Sequence, residues 1–513
     1  STTRYLEYCR SSDRSIAKLL RDVEDSNWYT EAQNPTATTW LISFRQIADN
    51  NPLAAEYLKF MCFLSEKAIP WSLLPGRALT LEGEAAIGLL KAYAFITERE
   101  ESNIYDMHRL VRLEMLNWLD TQGELEEWTV KVIRHVKAVY PFPRHDNREK
   151  WVRYLPHAQH VLERQTMLDD TTADLFSKVG HSFSLLGQYR EAETMHRQAL
   201  EGREKVLGSD HPETLDSVNN LGVALKKQGQ YGKAKEMLHQ ALEGRQKVLG
   251  PNHPHTLDVV NNLANVLEKQ GQSEKAEAMY RRALEAREKV LGHYHPNTLA
   301  AARNVGIVLE NQGKYRKAEA MYRRALEGRE KVLGPDHSDT LISVIDVGDA
   351  LLKQGQYAKA ETMYRRALEG REKLLGPEDL DVLDVVNRVG VALLRQGKYE
   401  KSEAMHRRGL EGREKILGPE HRKTLDIVSN LGVALEKQGQ HEKAEAMIRR
   451  ALEGRERVLG PCHPDTLTSV IDLGDALLKQ GQYEMAETMY RRALEGGEKL
   501  LGPDHPDTFD IVN

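Results

Sequence analysis

Two short phrases recur along this chain in lock-step, and their spacing constrains the fold more than any other feature. The first begins as LGSDHPETL at Leu207. It returns as LGPNHPHTL, LGHYHPNTL, LGPDHSDTL, LGPEDLDVL, LGPEHRKTL, LGPCHPDTL and LGPDHPDTF. Its glycines, Gly208, Gly250, Gly292, Gly334, Gly376, Gly418, Gly460 and Gly502, stand 42 residues apart. The second phrase, QGQY and its variants, centres on Gly187, Gly229, Gly271, Gly313, Gly355, Gly397, Gly439 and Gly481 at the same step. A fixed period of this size marks stacked supersecondary units, each too small to bury its own apolar face, so that neighbours share a core. A single closed core for all 513 residues is thereby excluded.

Between the phrases the apolar residues follow a helical period. Leu215, Val218, Leu221, Gly222 and Leu225 share one face, and Ala234, Met237, Leu238, Ala241, Leu242, Val248 and Leu249 another. Each unit is therefore two helices. Gly229 ends the first in the left-handed position that glycine adopts cheaply. Gly250 ends the second, and Pro251 forbids continuation. HPxTL restarts a helix, with the threonine expected as N-cap and the proline in or just before the first turn. Small residues recur at two slots of the second helix, Ala192, Ala234, Ala276, Ala318, Ala360, Ala444 and Ala486, then Ala199, Ala241, Ala283, Ala325, Ala367, Ala451 and Ala493. They predict close helix approach. The unit from 377 to 418 departs from the pattern, with Ser402 and Gly409 in those slots, and is expected to be the softest.

Seven of the eight loop copies carry a histidine. Packed helices sit about 8–10 Å apart, and zinc needs nitrogen within about 2.1 Å. One loop's histidine therefore cannot share a metal with the next, and these residues read as punctuation, with no metal site. Cys9, Cys62 and Cys462 form no CxxC, so neither a zinc ribbon nor a disulfide framework is indicated. A reducing, cytoplasmic setting fits. No apolar run of about 18 residues exists to span a membrane. The chain opens on Ser1 and stops at Asn513 inside a ninth repeat, which predicts a piece of a longer protein.

The first part of the chain is built differently. All six tryptophans, Trp28, Trp40, Trp71, Trp118, Trp128 and Trp151, lie there. NPLAAEYLKFMCFL, IPWSLL and TLEGEAAIGLLKAY read as helices, AFITERE and NIYDMH as two strands of a hairpin, and RLVRLEMLNWL as another helix. Helices followed by a hairpin predict a winged helix. The helix before the wing carries Glu82, Glu84 and a single lysine, Lys91, and the net charge is -5, so no DNA partner is expected. The expected fold is all-α apart from one small β-hairpin wing. It comprises a helical segment over 1–50, a winged-helix domain over 51–120, a helical connector over 121–170, and a superhelical solenoid over 171–513 with eight repeats and a truncated ninth.

Two resemblances sharpen this reading. Leu221, Gly222, Leu225, Gly229, Tyr231, Ala234, Leu238 and Ala241 match the tetratricopeptide repeat, and the array resembles its 42-residue form in kinesin light chains. The resemblance implies a groove, lined by the first helices, that binds a protein or peptide ligand. On that face one position reads Asn219, Asn261, Arg303, Ile345, Asn387, Ser429 and Ile471, and another Val223, Asn265, Ile307, Asp349, Val391, Val433 and Asp475. The second helix hardly varies. Asn220, Asn262, Asn304 and Asn430 match the asparagine slot that in the family bonds peptide backbone. Lys227, Lys269, Lys353, Arg395, Lys437 and Lys479 form a basic ladder. Such a ladder suits acidic segments, although cations at helix C-termini also stabilise the helix dipole.

Residues 36–119 resemble the helical and winged-helix region that follows the nucleotide-binding core of STAND-class NTPases, fungal NOD-like receptors in particular. The similarity rests on TATTWLISFRQIADNNPLAAEYLKFMCFLSEKAIPWSLL, LLKAYAFITE and YDMHRLVRLEMLNWL. Met107 and His108 match that family's Met-His-Asp motif, with Arg109 in the third place. The resemblance implies that His108 contacts the β-phosphate of ADP, but only with an upstream nucleotide-binding core. The local alternative is that His108 caps the hairpin-to-helix junction. No GxxxxGK[ST] occurs and no catalytic constellation stands out, so this chain is expected to be no enzyme and to hold no cofactor. ADP or ATP and oligomerisation belong to the intact parent. The reading is the regulatory and sensing half of a NOD-like signalling NTPase. The alternative is a kinesin-light-chain-like cargo adaptor without nucleotide chemistry.

Overall fold

The structure is a computed structural model and describes residues 35–76, 80–100, 103–165 and 169–501. Residues 1–34 of the anticipated N-terminal helical segment, and the ninth repeat from 502 onward, lie outside the described residues. Among those described are 22 α-helices and one three-stranded sheet. Packing separates two compact units, Ser1–Gln270 and Gly271–Asn513, and each is described by itself.

In the first unit, α1 (Pro35–Asn50), α2 (Pro52–Met61), α3 (Leu81–Ala92) and α4 (Arg109–Thr121) accompany the sheet. Asn51 caps α2, its Oδ1 accepting from the Ala54 N–H at 3.0 Å. β2 (Ile96–Glu98) and β3 (Ile104–Met107) form the expected hairpin, with Ile96 opposite Met107. The wing has a third member. IPWSLL is not a second helix: it holds β1 (Ile69–Pro70), which pairs antiparallel with β3, and then a 3-10 turn over Trp71–Leu73. Proline lacks an N–H and fixes its own φ, so it suits the end of a strand. The Trp71 N–H that follows donates to the Asn103 carbonyl at 2.9 Å. α5 (Leu125–Val139) and α6 (Arg148–Glu163) lead to α7 (Asp170–Leu185). One apolar core extends from Phe44 to Ala224, with Tyr57, Tyr140 and Trp151 buried in it. Tyr140 and Ser182 share a hydrogen bond of 2.6 Å that ties α5 to α7.

The repeats continue this unit with α8 (Tyr189–Leu207), α9 (Pro212–Lys227), α10 (Tyr231–Val248) and α11 (Pro254–Lys269). The second unit holds α12 (Ser273–Leu291), α13 (Pro296–Asn311), α14 (Tyr315–Leu333), α15 (Ser338–Lys353), α16 (Tyr357–Leu375) and α17 (Leu380–Arg395). It ends with α18 (Tyr399–Leu417), α19 (Arg422–Lys437), α20 (His441–Leu459), α21 (Pro464–Lys479) and α22 (Tyr483–Leu501). First helices have odd labels from α7 onward, second helices even ones. Both alanine slots are buried throughout. Glycine in the first helix completes the close approach: a Cβ at Gly348 would lie 2.6 Å from the Tyr364 ring. In the departing unit Ser402 is buried and donates to the Gly390 carbonyl at 2.8 Å, so its hydroxyl is satisfied.

The loop chemistry is local and repeats. Gly229 (φ 78°) closes α9 in the left-handed region, with the Gln230 N–H donating to the Leu225 carbonyl at 3.0 Å. Gly334 ends α14 at φ 90° and ψ 165°, a region open essentially to glycine alone. The threonine of HPxTL is not the N-cap. The histidine is: His211, His253, His295, His337, His421 and His463 each accept the N–H two residues on through Nδ1, as in Asp339 to His337 at 3.1 Å. Proline, where present, takes the first helical position and thereby sets the cap one residue earlier. The buried threonine instead donates, at Thr256, Thr340, Thr424 and Thr466, to the glycine carbonyl that ends the previous helix, as Thr340 does to Gly334 at 2.8 Å. Asp379 replaces histidine in the departing unit and caps the same way at 2.8 Å.

Candidate binding face of the repeat array

Two ladders of side-chain bonds link successive repeats, and their reach shows which helices lie closer. Between first helices some bridges are short, beside ion pairs such as Arg303 with Asp346 and Lys479 with Glu436. Asn262 donates to Asn219 at 3.0 Å, Asn430 to Asn387 at 3.1 Å, and Ser429 to Asp472 at 3.2 Å. Between second helices the bridges are arginine to glutamate: Arg366 to Glu330, Arg408 to Glu372, Arg450 to Glu414 and Arg492 to Glu456. Two amides span a gap only where helices approach closely. The first helices therefore form the inner face within each unit, where α9 packs on α11, α17 on α19 and α19 on α21.

The residues singled out in sequence lie on these first helices, but not all face outward with unused groups. Asn220, Asn262, Asn304 and Asn430 are half-buried. Asn262 and Asn430 serve as the stitches just described, and Asn220 accepts from Asn219 at 3.4 Å. Asn304 has no protein partner among the described residues. An amide offers two donors and two acceptor lone pairs, so each retains capacity toward a ligand.

Lys227, Lys269, Lys353, Arg395, Lys437 and Lys479 are all exposed. Their surroundings differ. Glu436 holds Lys479 in an ion pair and lies 3.5 Å from Lys437. Glu310 lies under the influence of Lys353. In the first unit the corresponding register brings Lys226 of α9 toward Lys269 of α11, like charge to like. Burial, and then the Lys227 and Lys269 ammonium groups, push the Lys226 amine down to about 8. Lys226, Lys227 and Lys269 have no ion pair among the described residues.

The inner face of the second unit is rich in carboxylates. Arg303 holds Asp346 through two bonds, one of 2.9 Å. Asp349 accepts from the Tyr364 hydroxyl at 2.6 Å and pairs with Arg388. Glu310 accepts from Tyr322 at 2.8 Å. Burial raises the carboxyls of Glu310 and Asp349 above their ordinary range.

His108 caps α4, its Nδ1 accepting from the Leu110 N–H at 3.3 Å, which is the device used by the repeat histidines. The ring is exposed and its Nε2 has no protein partner among the described residues, so it is compatible with a phosphate contact. Glu82 and Glu84 on α3 are exposed as well.

Two sets of frame residues escaped the sequence reading. A buried arginine in the second helix donates to a carbonyl of the next first helix: Arg287 to Asn297 at 3.2 Å, Arg329 to Asp339 at 2.9 Å, and Arg455 to Asp465 at 3.0 Å. The glutamine before the loop glycine, present from Gln228 onward, reaches back to the preceding second helix, as Gln354 does to Glu319 at 2.7 Å and Gln396 to Glu361 at 2.9 Å. Their signal was constancy from unit to unit, in the GRE and QG phrases.

The model of the tetratricopeptide repeat matches residues 171–247, 217–289, 256–331, 298–373, 381–457, 424–499 and 465–511. The chain belongs to the tetratricopeptide repeat proteins. It is 44% identical over 222 residues to a "Nucleotide-binding leucine-rich repeat (NLR)-like protein" of Hyaloscypha variabilis (strain UAMH 11265 / GT02V1 / F). That match covers 42% of this chain and only 22% of the relative's length. Among solved structures, a Signal Transduction ATPase with Numerous Domains (STAND) protein with a tetratricopeptide repeat sensor, from Pyrococcus horikoshii, covers 97% of this chain and 75% of its own, with TM-score 0.58 and 13% identity. The apo quorum sensor NprR of B. thuringiensis covers 74% of this chain and 98% of its own, with TM-score 0.52 and 13% identity. At those identities the two structures speak to fold alone.

Proposed function

We propose that this chain is the ligand-sensing and regulatory part of a cytoplasmic NOD-like signalling NTPase, with the inner face of the repeats as its receptor surface for a protein or peptide. The observation that carries the reading is the contrast between a constant frame and a varied inner face. The arginine, glutamine and histidine devices recur unit after unit, while the inner positions pass from asparagine to arginine, isoleucine and serine. The 44% identity to an NLR-like protein supports the signalling context.

The charge pattern supports an acidic segment on the first unit. Lys226, Lys227 and Lys269 offer three ammonium groups with no ion pair among the described residues, whereas Glu436 already occupies Lys479. The winged-helix region would hold the resting state in the parent, and bound ADP would supply the phosphate that the His108 Nε2 meets there. Ligand binding would then release that state and allow oligomerisation.

The test is binding of acidic fluorescent peptides to the whole chain. Lys227→Glu with Lys269→Glu should weaken them at least about tenfold, equivalent to about 1.4 kcal/mol. Lys479→Glu should change little by comparison. Equal binding by all three proteins would refute the placement on the first unit.

A further inference from the structure

Residues 343–357 and 469–483 are one block written twice, SVIDVGDALLKQGQY and SVIDLGDALLKQGQY, and both copies lie in the second unit. Each copy places the same groups on its first helix: Asp346, Asp349 and Lys353 on α15, and Asp472, Asp475 and Lys479 on α21. Each follows a first helix carrying a glutamate in the same register, Glu310 or Glu436. The tyrosine contacts also correspond, since Tyr364 bonds Asp349 and Tyr490 bonds Asp475, both at 2.6 Å. The molecule thus contains its own control.

The copies differ in what reaches the first aspartate from the preceding first helix. At Asp346 it is Arg303, whose Nε and Nη2 grip the two carboxylate oxygens, the latter at 2.9 Å. At Asp472 the corresponding residue is Ser429, which gives one hydroxyl bond to Oδ2 at 3.2 Å. No cation pairs with Asp472 among the described residues. Arg455 is nearby but donates to Asp426 at 2.7 Å and to Ser469 at 2.7 Å. Asp475 and Glu436 add negative charge, and Glu436 is matched by Lys479 with Lys437 beside it. Burial is the main reason the Asp472 carboxyl is pushed up to about 6.

We infer that Asp472 is the docking point for an arginine side chain of the bound peptide or protein, which takes at Asp472 the place that Arg303 takes at Asp346. The first copy shows that this carboxylate, in this block, accepts a guanidinium. A planar fork matches two carboxylate oxygens, whereas a lysine ammonium gives a point contact only. The inference rests on the inner face being the receptor surface, and it adds a basic anchor in the second unit to the acidic one proposed in the first.

The experiment pans phage-displayed random heptapeptides against the intact chain, then measures the enriched peptides on Ser429→Arg and Asp472→Asn, both checked for folding by circular dichroism. Ser429→Arg rebuilds the first copy's pairing and fills the site from within. Enriched peptides should share an arginine, bind each variant at least about tenfold more weakly, and lose affinity when that arginine becomes citrulline. Peptides that bind both variants as tightly as the parent, or tolerate citrulline, would overturn the anchor while leaving the receptor surface standing. Failure to enrich any peptide would overturn both.

Discussion

The two helices of a repeat are alike in length and opposite in use. The second helix meets its neighbours through alanines, glycine contacts and an arginine bonded to main chain, and its sequence hardly changes. The first helix is capped by one device in seven units, through histidine in six and Asp379 in one, yet its inner residues vary. Where they form bridges, both ends change together: Arg303 with Asp346, Asn387 with Asn430, Ser429 with Asp472. A bond to a carbonyl constrains one residue, and a bond between side chains constrains two jointly. The frame is thereby held constant while the surface varies in matched pairs.

That division can be broken by substitution. Ala367→Leu should cost about 3 kcal/mol, since the site has no exposed surface to expand into. The urea midpoint measures it. His406 is buried and its pKa is held at about 4, mainly by burial. Its native form binds no proton where the unfolded chain does, so stability falls as pH drops from about 6.5 toward 4, by about 3 kcal/mol at the limit. His406→Leu, the residue type of Leu238, should flatten that pH profile, and an unchanged profile would show that other groups set it. Arg455→Ala should cost about 2 kcal/mol, discounted because its partner Asp426 is 40% exposed. Gln396→Ala should cost about 1 kcal/mol through its bonds to Glu361 and Tyr357. Val391→Ala, on the inner face, should shift the midpoint by no more than about 0.5 kcal/mol, while altering peptide selection in the panning assay.

The array was legible because its determinants are local. Glycine at positive φ, the 3.6-residue period and the small slots all act within one unit. The hairpin strands showed for the same reason, while β1, two residues long, gives no alternation to read. The cap was misassigned to threonine on general preference, although the proline after histidine already placed the helix start. The inner face was only half legible. The asparagines were recognised as a ladder, but Asn262 and Asn430 stitch to partners 43 residues away, and nothing in the local sequence marks such a bond. Lys226 gives no local sign because its character comes first from burial, then from Lys227 beside it and Lys269 in the next repeat.

The arginine bonds of the second helices bear on how such an array changes length. Arg287, Arg329 and Arg455 each bond a main-chain carbonyl, and asparagine and aspartate supply it equally well at Asn297, Asp339 and Asp465. A repeat copied or deleted by unequal crossing-over meets the same carbonyl at its new junction, whatever side chain sits there. The near-identical blocks at 343–357 and 469–483 are then what a gene would carry after such an exchange. The number of repeats becomes something a lineage can adjust without redesigning any joint.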